Sequence, residues 1–359
     1  MADGKVVELS YDELTDPASN LSDRIAAAYG KEGLGILSVS GVPKVAELRA
    51  RLLPLASKLA ALPDDVKESI SDVDSSYSFG WSHGKEMLAN GVPDYHKGSF
   101  YANPQYDTPT ADPAEIQAHP SYARPNIWPE QHVPDLEPAF KELGQLMVTV
   151  GALVANRCDI HVQRHWQHAS ENGGGNISSR LENIIRSSKC AKGRLLHYFP
   201  VEEPSAAAAN DLQDSWCGWH TDHGSLTALC CGAYLREEEE VPCPDHDAGL
   251  YIRNRRGKVV KASFPCSHIA YQIGEASQIH SGGLLQATPH CVQAARGASA
   301  SGIARNSFAV FMQPQWDCPM DVPEGTSAED VRVGQWEPGI DFGEFTRRTL
   351  QKNYHSEKR

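Results

Sequence analysis

Long apolar runs are missing from this chain of 359 residues, and no stretch of 18 or more apolar residues occurs. That excludes a membrane-spanning helix and with it a membrane partner. The first residues, Met1-Ala-Asp-Gly-Lys5-Val-Val, lack the basic-then-apolar order of a secretory leader. Paired cysteine spacing is missing too. The nine cysteines are an odd number, spread from Cys158 to Cys318 with no C-x-x-C. This pattern suits reduced thiols in a cytoplasmic protein and argues against a disulfide framework or a thiolate zinc site. Basic charge is in deficit, with 33 Lys and Arg against 46 Asp and Glu and a formal net charge of −13. A protein so acidic does not rely on phosphate contacts along nucleic acid. No internal repeat or low-complexity tract breaks the chain, whose 40% hydrophobic and 22% charged residues are those of a globular protein.

The N-terminal part has helical signatures. The pattern predicts an amphipathic helix over Ser22–Glu32, a strand over Leu34–Ser40 ending at Gly41, and a helix over Val45–Leu62 with Leu48, Leu52, Leu55 and Leu59 on one face. Between Tyr77 and Pro134 glycine, proline and aromatics dominate, which reads as an ordered covering segment. A long helix follows from Leu136 to about Asn172 with Phe140, Leu143, Met147, Val150, Leu153 and Val154 as its buried stripe. A shorter helix around Ser178–Lys189 leads into a strand over Gly193–Pro200. From Gly218 to Pro314 short strands alternate with turn signals: Leu226–Cys231, Leu250–Arg253, Val259–Phe264, His268–Ile273, Leu284–Ala287, Cys291–Ala294 and Phe308–Gln313. Glu237–Glu240 reads as a solvated hairpin loop, and Phe342–Tyr354 as a terminal helix. The pattern predicts an α+β chain: an N-terminal helical region (1–190) packed around a sandwich, barrel or jelly roll (191–318), then a C-terminal extension (319–359).

Three groups are candidates for holding a metal. His161, His165 and His168 share a helix face, but no glutamate adjoins the first histidine as on a zinc-protease helix, so an ordinary exposed face accounts for them. The scattered cysteines are the second group. The third is His220-Thr-Asp222, whose side chains leave one face of an extended strand. His290 lies 68 residues beyond Asp222, at the start of a predicted strand, and Arg305-Asn-Ser307 follows as another i, i+2 pair. Two histidines and one carboxylate occupy one face of an octahedron and leave positions open, an arrangement suited to non-haem Fe(II) oxygen chemistry. An arginine with a hydroxyl beside it suits a planar carboxylate.

The order H-x-D, Gly249-Leu-Tyr-Ile252, Thr288-Pro-His290 and Arg305-Asn-Ser307 resembles the isopenicillin N synthase-like branch of the Fe(II)/2-oxoglutarate-dependent oxygenases. Leu34–Pro43 and Pro125–Pro129 also fit that branch. The resemblance implies a double-stranded β-helix core, Fe(II) on His220, Asp222 and His290, and 2-oxoglutarate gripped at its distal carboxylate by Arg305 and Ser307. It further implies O2 as oxidant, release of succinate and CO2, ascorbate as a reductant, and a monomer that hydroxylates or desaturates a small-molecule substrate. Many members carry a tyrosine before the proline matching Pro200. Here that residue is Phe199, and the nearest hydroxyl is that of Tyr198, which strand alternation turns to the opposite face from Phe199. Two other readings share these residues: an oxidase that uses no 2-oxoglutarate, and a β-domain binder whose His and Asp are structural or hold zinc. For the substrate pocket the sequence offers Phe100, Tyr101, Trp216, Trp219 and Trp316, and Lys97 and Lys85 as partners for an anionic group.

Overall fold

The computed structural model describes residues 3–86, 92–169, 180–201 and 215–355. In chain order the strands are β1 (Asp3–Lys5), β2 (Val7–Ser10), β3 (Ile36–Ser40), β4 (Gly80–His83), β5 (Lys97–Ala102), β6 (Lys192–Tyr198), β7 (Ser215–His220) and β8 (Leu226–Cys230). They continue as β9 (Ala233–Arg236), β10 (Glu239–Val241), β11 (Gly249–Arg253), β12 (Val259–Ser263), β13 (Ile269–Ile273), β14 (His290–Gln293) and β15 (Ile303–Met312). They form two sheets. The smaller runs β1-β12-β11-β14-β7, and the larger runs β2-β3-β13-β8-β15-β6-β5-β4, with the β9–β10 hairpin attached through β9 to β15. Their inner faces meet over Ile36, Ala270, Ile252, Val260 and Ala262, closing one end of a jelly roll.

Helices cover the outer face of the larger sheet. Leu136–Ala169 runs 34 residues because apolar residues recur every three or four positions, and Phe140, Leu143, Met147, Val150, Val154, Cys158 and Val162 are all buried. The helix Val45–Ala60 buries Leu48, Leu52, Leu55 and Leu59 on the same core. Its Arg49 is also buried, donating to the carbonyls of Cys231 and Gly232 at 2.7 and 3.0 Å and pairing with Glu240 at 2.6 Å. The terminal helix forms as Phe342–His355, sealing a second core with Trp316, Met320 and Trp336.

The structure corrects four expectations. Tyr77–Pro134 does more than cover the core: β4 and β5 within it extend the larger sheet, with Lys97–Ala102 antiparallel to Tyr198–Gly193. Leu284–Ala287 is not a strand. The preceding run folds as a helix, Glu275–His280, and the chain then turns so that Leu285, Gln286 and Ala287 give their N–H groups to Ser281 Oγ, the Tyr29 carbonyl and Gln278 Oε1. With those partners the segment has no need of a ladder. Glu237–Glu240 contributes to the hairpin itself, Glu239 and Glu240 lying in β10 after Glu237 takes the left-handed turn conformation (φ 58°). Lastly, the cysteines are not all free: Cys231 and Cys266 form a disulfide across a separation of 35 residues. Pairing of Cys230 with Ile269 brings the β8 end beside the β12–β13 turn, a proximity that sequence spacing does not show.

Candidate metal centre and cavity

β7 and β14 are antiparallel neighbours with His220 opposite His290, and the ladder is bulged just beyond that pair. The bulge lets the two imidazoles converge, with ring centroids 4.2 Å apart. Asp222 stands two residues past the end of β7, with Oδ1 3.6 Å from His220 Nε2 and 3.9 Å from His290 Nε2. All three donors lie within 4.8 Å of one another, and among the described residues no other cluster of three or more His, Cys, Asp or Glu could hold an ion. The side chain of His168 lies outside the described residues.

The remaining polar atoms of these side chains decide where the lone pairs point. His220 Nδ1 donates to the Gly218 carbonyl at 2.8 Å and His290 Nδ1 faces the Thr288 carbonyl at 3.3 Å, so both Nε2 atoms are left as acceptors on the same side. Thr227 Oγ donates to Asp222 Oδ2 at 2.6 Å, which leaves Oδ1 to the histidines. Burial alone would raise the Asp222 carboxyl, but the His290 and His220 imidazoles and the Thr227 hydroxyl hold it well below the usual carboxylate range. Burial lowers His290 to about 4 despite Asp222 beside it, which keeps it a neutral ligand. Donors bound at about 2.1 Å to one octahedral ion stand roughly 3 Å apart, so the two Asp222 edges would contract by less than about 1 Å. The donor set fits a divalent iron.

The triad closes one wall of a cavity of about 350 Å³ between the sheets. Along the cavity lie Arg305, Ser307, Tyr198 and Tyr234, with Arg305 Nη1 3.5 Å from Ser307 Oγ. The Arg305 guanidinium lies over the rings of Tyr198 and Tyr234, 5.3 and 5.9 Å from their centroids. Gly232 makes room for it, since a Cβ there would sit 2.9 Å from both Nε and Nη2. Tyr198 faces the cavity because it pairs with Arg305 across the β6–β15 ladder, whereas Phe199 lies on the other side against His197 and His83. The Phe-for-Tyr exchange before Pro200 therefore leaves a tyrosine in the cavity wall.

The substrate candidates divide. Lys97 and Tyr101 share the inward face of β5, opposite Tyr198 and Arg194 of β6. Phe100 points the other way, fully buried against Trp128 and Phe140. Trp219 turns from the cavity and stacks under Arg253, 4.4 Å from its guanidinium. Trp316 packs on His119 in the C-terminal core. The side chain of Trp216 lies outside the described residues. Lys85 sits over the Tyr77 ring at 4.8 Å and is exposed. Arg194, Thr227, Tyr234 and Gln272 line the cavity without having been expected there. For Arg194 a signal existed: counting back by twos from Tyr198 along its strand reaches it.

No family model and no curated protein matches the chain. Solved structures match over nearly its whole length. A full-length Neurospora crassa protein, solved with alpha-KG and thymine, superposes at a TM-score of 0.70 with 18% identity, covering 96% of this chain and 97% of that one. A protein assigned to the 2OG-Fe(II) oxygenase family from Caulobacter crescentus gives 0.69 with 16% identity over 97% and 99%. JOX2, solved with 2OG, Fe and JA, gives 0.62 with 15% identity over 96% and 85%.

Proposed function

We propose that this chain, which has the fold of the 2OG-Fe(II) oxygenases, is an Fe(II)- and 2-oxoglutarate-dependent oxygenase that hydroxylates or desaturates a small molecule, releasing succinate and CO2. The observation that carries this is the aim of the triad: three backbone and hydroxyl partners turn His220 Nε2, His290 Nε2 and Asp222 Oδ1 to one point at the wall of a cavity holding Arg305. Neighbours of this fold hold 2-oxoglutarate, iron and small organic ligands, which supports the same occupants here.

Iron on this triad would supply open coordination positions for the keto acid and dioxygen. The protein's own contributions follow from its geometry. His220, Asp222 and His290 would hold the metal, and they are oriented by Gly218, Thr288 and Thr227. Arg305 and Ser307 grip the distal carboxylate of 2-oxoglutarate, and Tyr198 and Tyr234 flank that guanidinium. Asp222 and His290 are buried between the sheets, which lowers the dielectric their charges feel. Purified protein with Fe(II) and 2-oxoglutarate, kept anaerobic, should develop a visible charge-transfer band that Asp222→Ala abolishes. Absence of the band in the wild type refutes the reading. Succinate release on adding oxygen separates it from an oxidase that spares 2-oxoglutarate.

A further inference from the structure

Glu86, Asp94, Lys97, Ser99, Tyr101 and Arg194 form a polar network on the cavity side of β5 and β6. Lys97 Nζ lies 2.8 Å from Asp94 and 3.0 Å from Glu86. Tyr101 donates to Glu86 at 3.1 Å. Arg194 gives Nη2 to Glu86, and Nε and Nη2 to Ser99 Oγ at 3.1 and 2.9 Å, its guanidinium lying 5.1 Å over the Tyr101 ring. Among the described residues, only Nη1 of that guanidinium finds no hydrogen-bond acceptor. The Arg194 side chain is 16% exposed, and the residue lines the cavity.

The position along the strands separates this arginine from Arg305. Arg194 opposes Ala309, which also opposes Leu229 of β8, while Arg305 opposes Tyr198. Four residues of strand part the two, about 13 Å at 3.3 Å per residue. Two residues beyond Ala309, Phe311 opposes Thr227, which holds Asp222. Arg194 thus flanks the metal end of the cavity. Its charge is already matched, because two carboxylates, Glu86 and Asp94, face two cations, Lys97 and Arg194. An entering anion would meet no uncompensated charge, and an entering cation would meet a guanidinium. What the site offers is a fixed N–H donor, beside an apolar wall of Leu196, Leu229, Val292 and Phe311.

We infer that Arg194 is the specificity-determining residue of the substrate pocket and that it takes a neutral substrate through a carbonyl or amide oxygen, with Glu86 as its positioning partner. The inference rests on the oxygenase reading for its reaction, though not for its binding chemistry. The test titrates size-matched fragments against the full chain by ligand-observed NMR: neutral lactams and imides, carboxylates, and amines. Lactams and imides should bind saturably and best, and Arg194→Gln should weaken them at least tenfold while retaining the anaerobic charge-transfer band with Fe(II) and 2-oxoglutarate. Glu86→Gln leaves the guanidinium unmatched and should shift preference toward carboxylates by about fivefold or more. Tighter carboxylate binding in the wild type, no lactam or imide binding, or an Arg194→Gln affinity within threefold of wild type would overturn the inference. Loss of the band in the wild type would instead remove the oxygenase reading, and the fragment titration, which needs no metal, would still decide the role of Arg194.

Discussion

Gly232→Ala tests the proposed grip of Arg305 on 2-oxoglutarate. The added methyl would stand 2.9 Å from Arg305 Nε and Nη2 and 3.0 Å from Cζ, where ordinary contact begins at about 3.4 Å. The guanidinium must retreat by about half an ångström, and Tyr198, Tyr234 and Ser307 limit where it can go. A hydrogen bond to a charged group is worth about 1.5–3 kcal/mol net, and a displaced fork loses at least one of two. The Kd of 2-oxoglutarate should therefore rise by about 10- to 150-fold, read from titration of the anaerobic charge-transfer band, with Fe(II) content unchanged. Thermal unfolding should move by no more than about 2 °C, because the glycine is not at a positive φ and the strain can relax into the cavity. Gly334→Ala, where a Cβ meets nothing within 4 Å, serves as the control. A 2-oxoglutarate affinity within threefold of wild type in Gly232→Ala would show that Arg305 does not hold the cosubstrate.

Further outcomes follow from the same geometry. Thr227→Val removes the 2.6 Å hydrogen bond that orients Asp222 and should weaken Fe(II) by about 10- to 100-fold in metal titrations without unfolding the protein. Gly151→Ala drives a methyl to 2.4 Å from Met312 Sδ and 3.1 Å from a Tyr271 ring carbon, so denaturant unfolding should report a loss of about 1–3 kcal/mol. Glu86, although burial opposes its charge, is held down at about 2 by Arg194 and Lys97. Its folded pKa lies below the unfolded value of 4.5, so the stability it adds is complete above about pH 4.5 and is lost as the pH falls toward 2. Glu86→Gln should flatten that part of a pH–stability curve, and an unchanged acid limb would refute the assignment.

The parts of the molecule legible in the sequence are those whose signal is local. His220 and Asp222, and Arg305 and Ser307, are i, i+2 pairs whose shared strand face needs no knowledge of the rest of the chain. The Leu136–Ala169 helix announces itself by its stripe. What escaped depends on partners distant in sequence. β4 and β5 carry glycine and aromatics without clean alternation and become strands because β6 offers its free edge. The Cys231–Cys266 bond depends on strand order, which cysteine spacing does not encode. The aromatic candidates divide for a different reason: ring content signals burial but not direction, and the neighbours Phe100 and Tyr101 face opposite sides of one strand. Tyr198 shows the converse, since its direction was readable from alternation while the identity of the inward face was fixed only by its pairing with Arg305.

The N-terminal ten residues have a consequence for how the molecule assembles. β1 lies parallel to β12 in one sheet and β2 parallel to β3 in the other, with buried Val6 alone between them. β3 in turn needs β13 as its neighbour. During synthesis residues 3–10 thus cannot complete their ladders until residues 259–273 have emerged. At about 5–20 residues per second that delay is on the order of 12–50 s. Residues 3–10 are thus among the last to complete their pairing, and they act as a clasp that fastens both sheets once the strands behind them exist.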